Sequence, residues 1–142
     1  IDKGAVIATS YHGNLAAVNS TTGQVYWAKA LSSFEAPCVA DNKIFTTDAT
    51  GIVMAVDEMS GQVLWQQKDL RYRFVSAPVA VNRSVVVGDY AGYVHFLAIN
   101  TGHEQARIKI SSAGINTPAL LYNGRILLIT QDGKVVALEI KA

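Results

Sequence analysis

The sequence is poor in the residues that would staple or charge it. Of 142 residues one is cysteine, so no internal disulfide can form. Cys38, between Pro37 and Val39, reads as a small apolar residue of a strand. Twelve Lys and Arg nearly balance eleven Asp and Glu and do not cluster, which excludes the electrostatic footprint of a nucleic-acid binder. Half the residues are apolar, yet no uninterrupted run approaches the ~20 residues that cross a bilayer as a helix. No basic leader with an apolar h-region is present, and the first residue is not Met. "IDKGAVIATS" reads as the middle of a strand pattern, so a fragment or trimmed mature chain is expected, with the absent portion mostly N-terminal. Helical periodicity is missing too: no useful length shows apolar residues at i, i+3, i+4 and i+7.

What is present is a repeat. Pro37, Pro78 and Pro118 lie 41 and 40 residues apart, and Gly51, Gly92 and Gly133 lie 41 and 41 apart. Gly23, Gly61 and Gly102, each preceded by Thr or Ser, follow at 38 and 41. Between these marks stand short β-branched and aromatic runs such as "KIFTTD", "SVVVGD", "IVMAVD" and "YVHFLA", bounded by turn residues. Four short antiparallel strands every ~40 residues fit the blade of a β-propeller. The expected fold is all-β, a partial propeller of about three and a half four-stranded blades. One domain spans 1–142: an incomplete blade over 1–33, blades over 34–75 and 76–116, and an incomplete final blade over 117–142. Closed rings have ~4–8 blades and open sheet edges aggregate, so the chain is expected to belong to a larger ring.

The clearest duplication is "AVNSTTGQVYW" over 17–27 against "AVDEMSGQVLW" over 55–65. Asn19 or Asp57 can accept hydrogen bonds from backbone N–H groups two and three residues on, and Gly23 or Gly61 can supply the positive φ of a bulged hairpin. Trp27 and Trp65 then follow in the fourth strand, each a large flat surface with one N–H to satisfy. The expected use is docking on a neighbouring blade and donating to its backbone; the rival is an aromatic that stacks on a ligand. In the third copy, "FLAINTGHEQA", Ala98 and Ala106 replace the Asx residue and the Trp, a decay that suits a blade seam better than a site.

The pattern Ala-x-Asx-x-x-x-Gly-x-x-x-Trp resembles the tryptophan-docking repeat of the quinoprotein-like propellers. Within that superfamily "DLRYRFVSAPV", "VVVGDYAGYVHFLAINTG" and "TQDGKVVAL" resemble the C-terminal half of the BamB family, over essentially the whole chain. The resemblance implies an eight-bladed, non-catalytic periplasmic scaffold of outer-membrane β-barrel assembly. It also implies a lipid anchor to the outer membrane through a cysteine that is absent from this chain, so Cys38 is not that anchor. The partners it implies are the POTRA domains of BamA and unfolded outer-membrane proteins. The alternative is a fragment of a PQQ-dependent dehydrogenase, which would need a quinone-stacking floor, Ca²⁺ ligands and in many members an adjacent Cys pair. None of these is recognisable, and a sugar-binding propeller has no distinctive support.

No catalytic, cofactor or metal residues stand out. His12, His95 and His103 lack metal-ligand spacing and read as ordinary turn, surface or strand-face residues. Neither a nucleophile elbow nor a phosphate loop occurs. Asp48, Asp89 and Asp132 recur just before Gly51, Gly92 and Gly133, where a cation site competes with the plainer demand of the turn for Asp and Gly. Strand parity sends these turns and the blade-to-blade connections to one face. There Arg71, Tyr72, Arg73 and Phe74 combine charge with aromatic surface, making Asp69–Phe74 the candidate partner-contact loop. The competing role for Tyr72 and Phe74 is capping the next blade.

Overall fold

The computed structural model describes residues 3–10 and 13–140, and among these the chain forms strands and turns with no helix. His12 lies outside the described residues. Among the described residues fourteen strands make four antiparallel sheets. The first joins β1 (Ala5–Ala8), β2 (Asn14–Asn19) and β3 (Val25–Ala30), and the second β4 (Cys38–Ala40), β5 (Lys43–Thr47), β6 (Val53–Asp57) and β7 (Val63–Gln67). The third joins β8 (Val79–Val81), β9 (Ser84–Gly88), β10 (Tyr93–Ala98) and β11 (Glu104–Lys109), and the fourth β12 (Leu120–Tyr122), β13 (Arg125–Ile129) and β14 (Val135–Glu139). Every strand pairs with its sequence neighbour, so each sheet is an up-and-down meander. The chain is an all-β partial propeller.

Burial follows from the stacking of sheets. In the two central sheets β5 and β9 are buried on both faces, and they read as runs rather than alternations. In the fourth sheet β14 alternates, because one of its faces is uncovered. Three apolar clusters fill the spaces between successive sheets. Leu15, Ile44 and Met54 pack between the first and second; Phe45, Trp65, Val85 and Leu97 between the second and third; Val86, Ile115, Ile126 and Leu128 between the third and fourth. Cys38 is a free thiol at the second of these seams, its Sγ 3.5 Å from the N–H of Ala80.

At one end of the sheets the hairpins before β3, β7 and β11 each carry a bulge, at Ala17/Val18, Ala55/Val56 and Phe96/Leu97. At the other end the second-to-third-strand turns meet the sheet-to-sheet connections. Ala49 donates its N–H to Ser32 O at 2.7 Å, Tyr90 to Arg73 O at 3.0 Å, and Gln131 to Gly114 O at 2.8 Å. Donors and acceptors both recur every 41 residues. This backbone clamp ties each connection to the turn of the sheet it enters, and it fixes the face from which the connections project.

Candidate protein-binding face

The tryptophan hairpins come first, because they orient the sheets. Asn19 Oδ1 accepts from Thr21 N at 2.8 Å and Thr22 N at 2.9 Å, and Asp57 Oδ1 accepts from Met59 N and Ser60 N, both at 2.9 Å. Hydrogen bonds led by the Ser60 N–H hold the exposed Asp57 carboxyl below the usual carboxylate range. Gly23 and Gly61 both have φ 76°. Trp27 Nε1 donates to Glu58 O and Trp65 Nε1 to Ile99 O, each at 2.9 Å and each on the following sheet. The rings land on glycine: a Cβ at Gly61 would lie 2.6 Å from Trp27 Cε3, and one at Gly102 2.2 Å from Trp65 Cε3. These glycines therefore supply a flat floor as well as a positive φ, a use the turn pattern alone did not disclose.

On the opposite face the acidic turns divide. Asp48 Oδ1 accepts from Thr50 N at 2.9 Å and Ile52 N at 3.0 Å, and Asp89 Oδ1 accepts from Ala91 N and Tyr93 N at the same two distances. Asp132 does not belong with them, which corrects the sequence grouping. In the fourth sheet Thr130 takes the capping place, its Oγ1 accepting from Lys134 N at 3.0 Å while Gly133 N donates to Thr130 O. A hydroxyl replaces the carboxylate, and Asp132 instead accepts from Thr130 Oγ1, which holds its carboxyl low. Among the described residues no group of three or more His, Cys, Asp or Glu side chains could hold a metal ion.

Asp89 does more than cap. It is fully buried, and its Oδ2 receives Arg73 Nη2 at 2.7 Å, Arg73 Nε at 2.8 Å and His95 Nε2 at 2.8 Å. The other ring nitrogen of His95, Nδ1, lies 3.3 Å from Glu104 Oε1. Burial pushes the Asp89 carboxyl up, but the hydrogen bonds from His95, Tyr93 N, Arg73 and Ala91 N outweigh it, and the net shift is downward. His95 is thus a buried partner of two carboxylates, not the ordinary surface or strand-face residue expected; its spacing to Asp89 and Glu104 carries no known motif. His103 is exposed beside Gly102.

Arg73 belongs to the same network. Of the four candidate contact residues it turns inward to Asp89, while Arg71, Tyr72 and Phe74 are on the surface. Tyr72 and Phe74 are 72% and 78% exposed, with φ 63° and 50°. A left-handed backbone costs a bulky residue about 1–3 kcal/mol and persists only where neighbours impose it. Here Tyr72 N donates to Thr50 O at 2.8 Å and Arg73 anchors the chain between the two aromatics, so both rings are turned outward. Capping is partial: Phe74 meets the Tyr90 ring edge-on, with centroids 6.2 Å apart. Phe34, Tyr72, Phe74 and Tyr90, with Glu35 and Thr47, line a depression of about 490 Å³ across this face. Burial raises the pKa of Glu35, and the buried Thr47 hydroxyl has no hydrogen-bond partner among the described residues.

Successive meanders joined by tryptophans resting on the glycine turns of the next sheet define a β-propeller of the tryptophan-docking class. A family model described as outer membrane protein assembly factor BamB matches residues 1–67 and 49–142. The chain belongs to the BamB family. It is 36% identical over 136 residues to outer membrane protein assembly factor BamB of Escherichia coli K12, a match covering 96% of this chain and 35% of that relative. The crystal structure of BamB from Moraxella catarrhalis superposes with a TM-score of 0.91 at 28% identity, over 99% of this chain and 41% of that one. The chain therefore spans about a third of the length of such relatives. A quinohemoprotein alcohol dehydrogenase of Pseudomonas putida HK5 matches with a TM-score of 0.66 over 77% of this chain and 19% of that one, and at 18% identity this shows a shared fold alone.

Proposed function

We propose that the chain is part of a non-catalytic scaffold at the periplasmic face of the outer membrane of a Gram-negative bacterium. In this reading it assists the assembly and insertion of outer-membrane β-barrel proteins; its E. coli relative is named an outer membrane protein assembly factor. The finer part of the proposal is that the connection face binds the POTRA region of BamA. One observation carries it: Tyr72 and Phe74 are held outward in a costly backbone conformation while the half-buried Arg73 between them is pinned to Asp89. Exposed, rigid aromatics around a depression are the usual anchors of a protein interface.

The test is capture of BamA POTRA domains by the full-length protein. Tyr72→Ala with Phe74→Ala is expected to lower capture at unchanged thermal stability, and Arg71→Glu to lower it less. Unchanged capture in the double variant would remove this loop from the interface. Oxidation of an alcohol by the full-length protein supplied with PQQ and Ca²⁺ would overturn the non-catalytic reading.

A further inference from the structure

Next to the aromatic depression lies a cluster of positive charge of which the fold neutralises only Arg73, through Asp89. Tyr93 pairs across the sheet with Lys109, and His95 with Arg107, so these four side chains share one face of the third sheet. Three cations converge on the Tyr93 ring: Arg73 Cζ at 5.8 Å from its centroid, Arg107 Cζ at 5.7 Å and Lys109 Nζ at 5.6 Å. The nearby carboxylates are engaged, Asp89 with Arg73 and His95, and Glu104 with His95. Arg107 and Lys109, both exposed, form no ion pair among the described residues. Arg73 Cζ also lies 5.7 Å from the Tyr90 centroid, and Tyr90 lines the depression. The charge and the aromatic groove therefore form one surface, with Arg73 at the join.

We infer that this surface takes an acidic segment of a protein partner, with carboxylates on Arg107 and Lys109 and an apolar side chain in the depression beside Tyr72, Phe74 and Tyr90. Like charges gathered on one ring repel, and an acidic partner removes that cost while it gains directional hydrogen bonds to Arg107. A lipid surface suits the site less well. Membrane-binding clusters gather about 4–8 cations, whereas here two unpaired cations, Arg107 and Lys109, stand beside a hollow. The inference rests on the connection face being an interface, but not on which protein occupies it.

The test is a titration of the full-length protein with a synthetic peptide of alternating Glu and Phe, and with its counterpart carrying Lys for Glu. The acidic peptide is expected to bind roughly tenfold more tightly at low salt, with the preference fading as salt screens it. Arg107→Gln with Lys109→Gln should abolish the preference without lowering the melting temperature, since both side chains are exposed. Tyr72→Ala with Phe74→Ala should weaken both peptides and leave their ratio intact. Equal affinity for the two peptides, or a preference that survives the charge variant, overturns the inference. So does finding that the charge variant instead loses binding to phosphatidylglycerol vesicles. An acidic preference in a protein that captures no BamA POTRA domains would sink the partner proposed above and leave this inference standing. POTRA capture with no acidic preference would do the reverse.

Discussion

The seam between the second and third sheets and the seam between the third and fourth grow from the same repeat, yet they are fastened differently. At the former, Trp65 rests on Gly102 and donates to Ile99 O, Gln67 Nε2 donates to Gly102 O, and Arg73 meets Asp89 at the opposite end. At the latter, Ala106 stands in the Trp position and Gly114 in the Arg73 position. The weight falls on Ile115, fully buried against Val86, Ile126 and Leu128. Gly88 makes room for it: a Cβ there would lie 2.5 Å from Ile115 Cγ2. The backbone clamp, Tyr90 to Arg73 and Gln131 to Gly114, is common to both. The difference teaches that the fold fixes where sheets must be joined but not which side chain joins them.

The most damaging test of that contrast is Trp65→Ala, expected to cost about 3–5 kcal/mol in chemical denaturation. Ile115→Ala should cost roughly 2–5 kcal/mol and less than the tryptophan change; the opposite order would mean the tryptophan-free seam is the stronger one. Asp89→Asn is expected to cost about 1.5–3 kcal/mol by weakening charged hydrogen bonds. Because the folded-state pKa of Asp89 is depressed, its contribution is present above the ordinary aspartate value and is lost as pH falls through the lowered one. Acid unfolding should therefore be less steep in Asp89→Asn than in the parent. Smaller again is Gly102→Ala, at least about 1 kcal/mol from its φ of 75° alone, with a further part from the Trp65 contact. Gly23→Ala has the same backbone penalty with nothing within 4 Å of the new methyl, so the excess of Gly102→Ala over Gly23→Ala measures the seam. That excess should vanish in a Trp65→Ala background.

The sheets, the tryptophan hairpins and their glycines were legible because their turn residues recur at fixed offsets. A bulged turn needs Gly at positive φ, and a capped turn needs an Asx or hydroxyl side chain. The clamp of Ser32, Arg73 and Gly114 left no trace, because it is made by carbonyl groups that every residue carries. The Asp89 network was hidden for a different reason. His95 and Glu104 are brought to it by strand register, and Arg73 from the preceding connection, so no short motif records them. Asp132 misled because Asp next to Gly is common in turns, while the group that caps the turn sits three residues before the glycine, as Asp48, Asp89 and Thr130 do.

Each apolar cluster involves only successive sheets, and that arrangement has a mechanical consequence. The sheets form a row of plates coupled to nearest neighbours, so strain applied at one plate is passed along joint by joint rather than shared by a common centre. In such a row the order of detachment is set by the weakest joint. Amide hydrogens of β12, β13 and β14, behind the joint without a tryptophan, should exchange before those of β5 and β6. The alanine at position 106 thereby marks the joint between the third and fourth sheets as the one expected to open before the joint between the second and third.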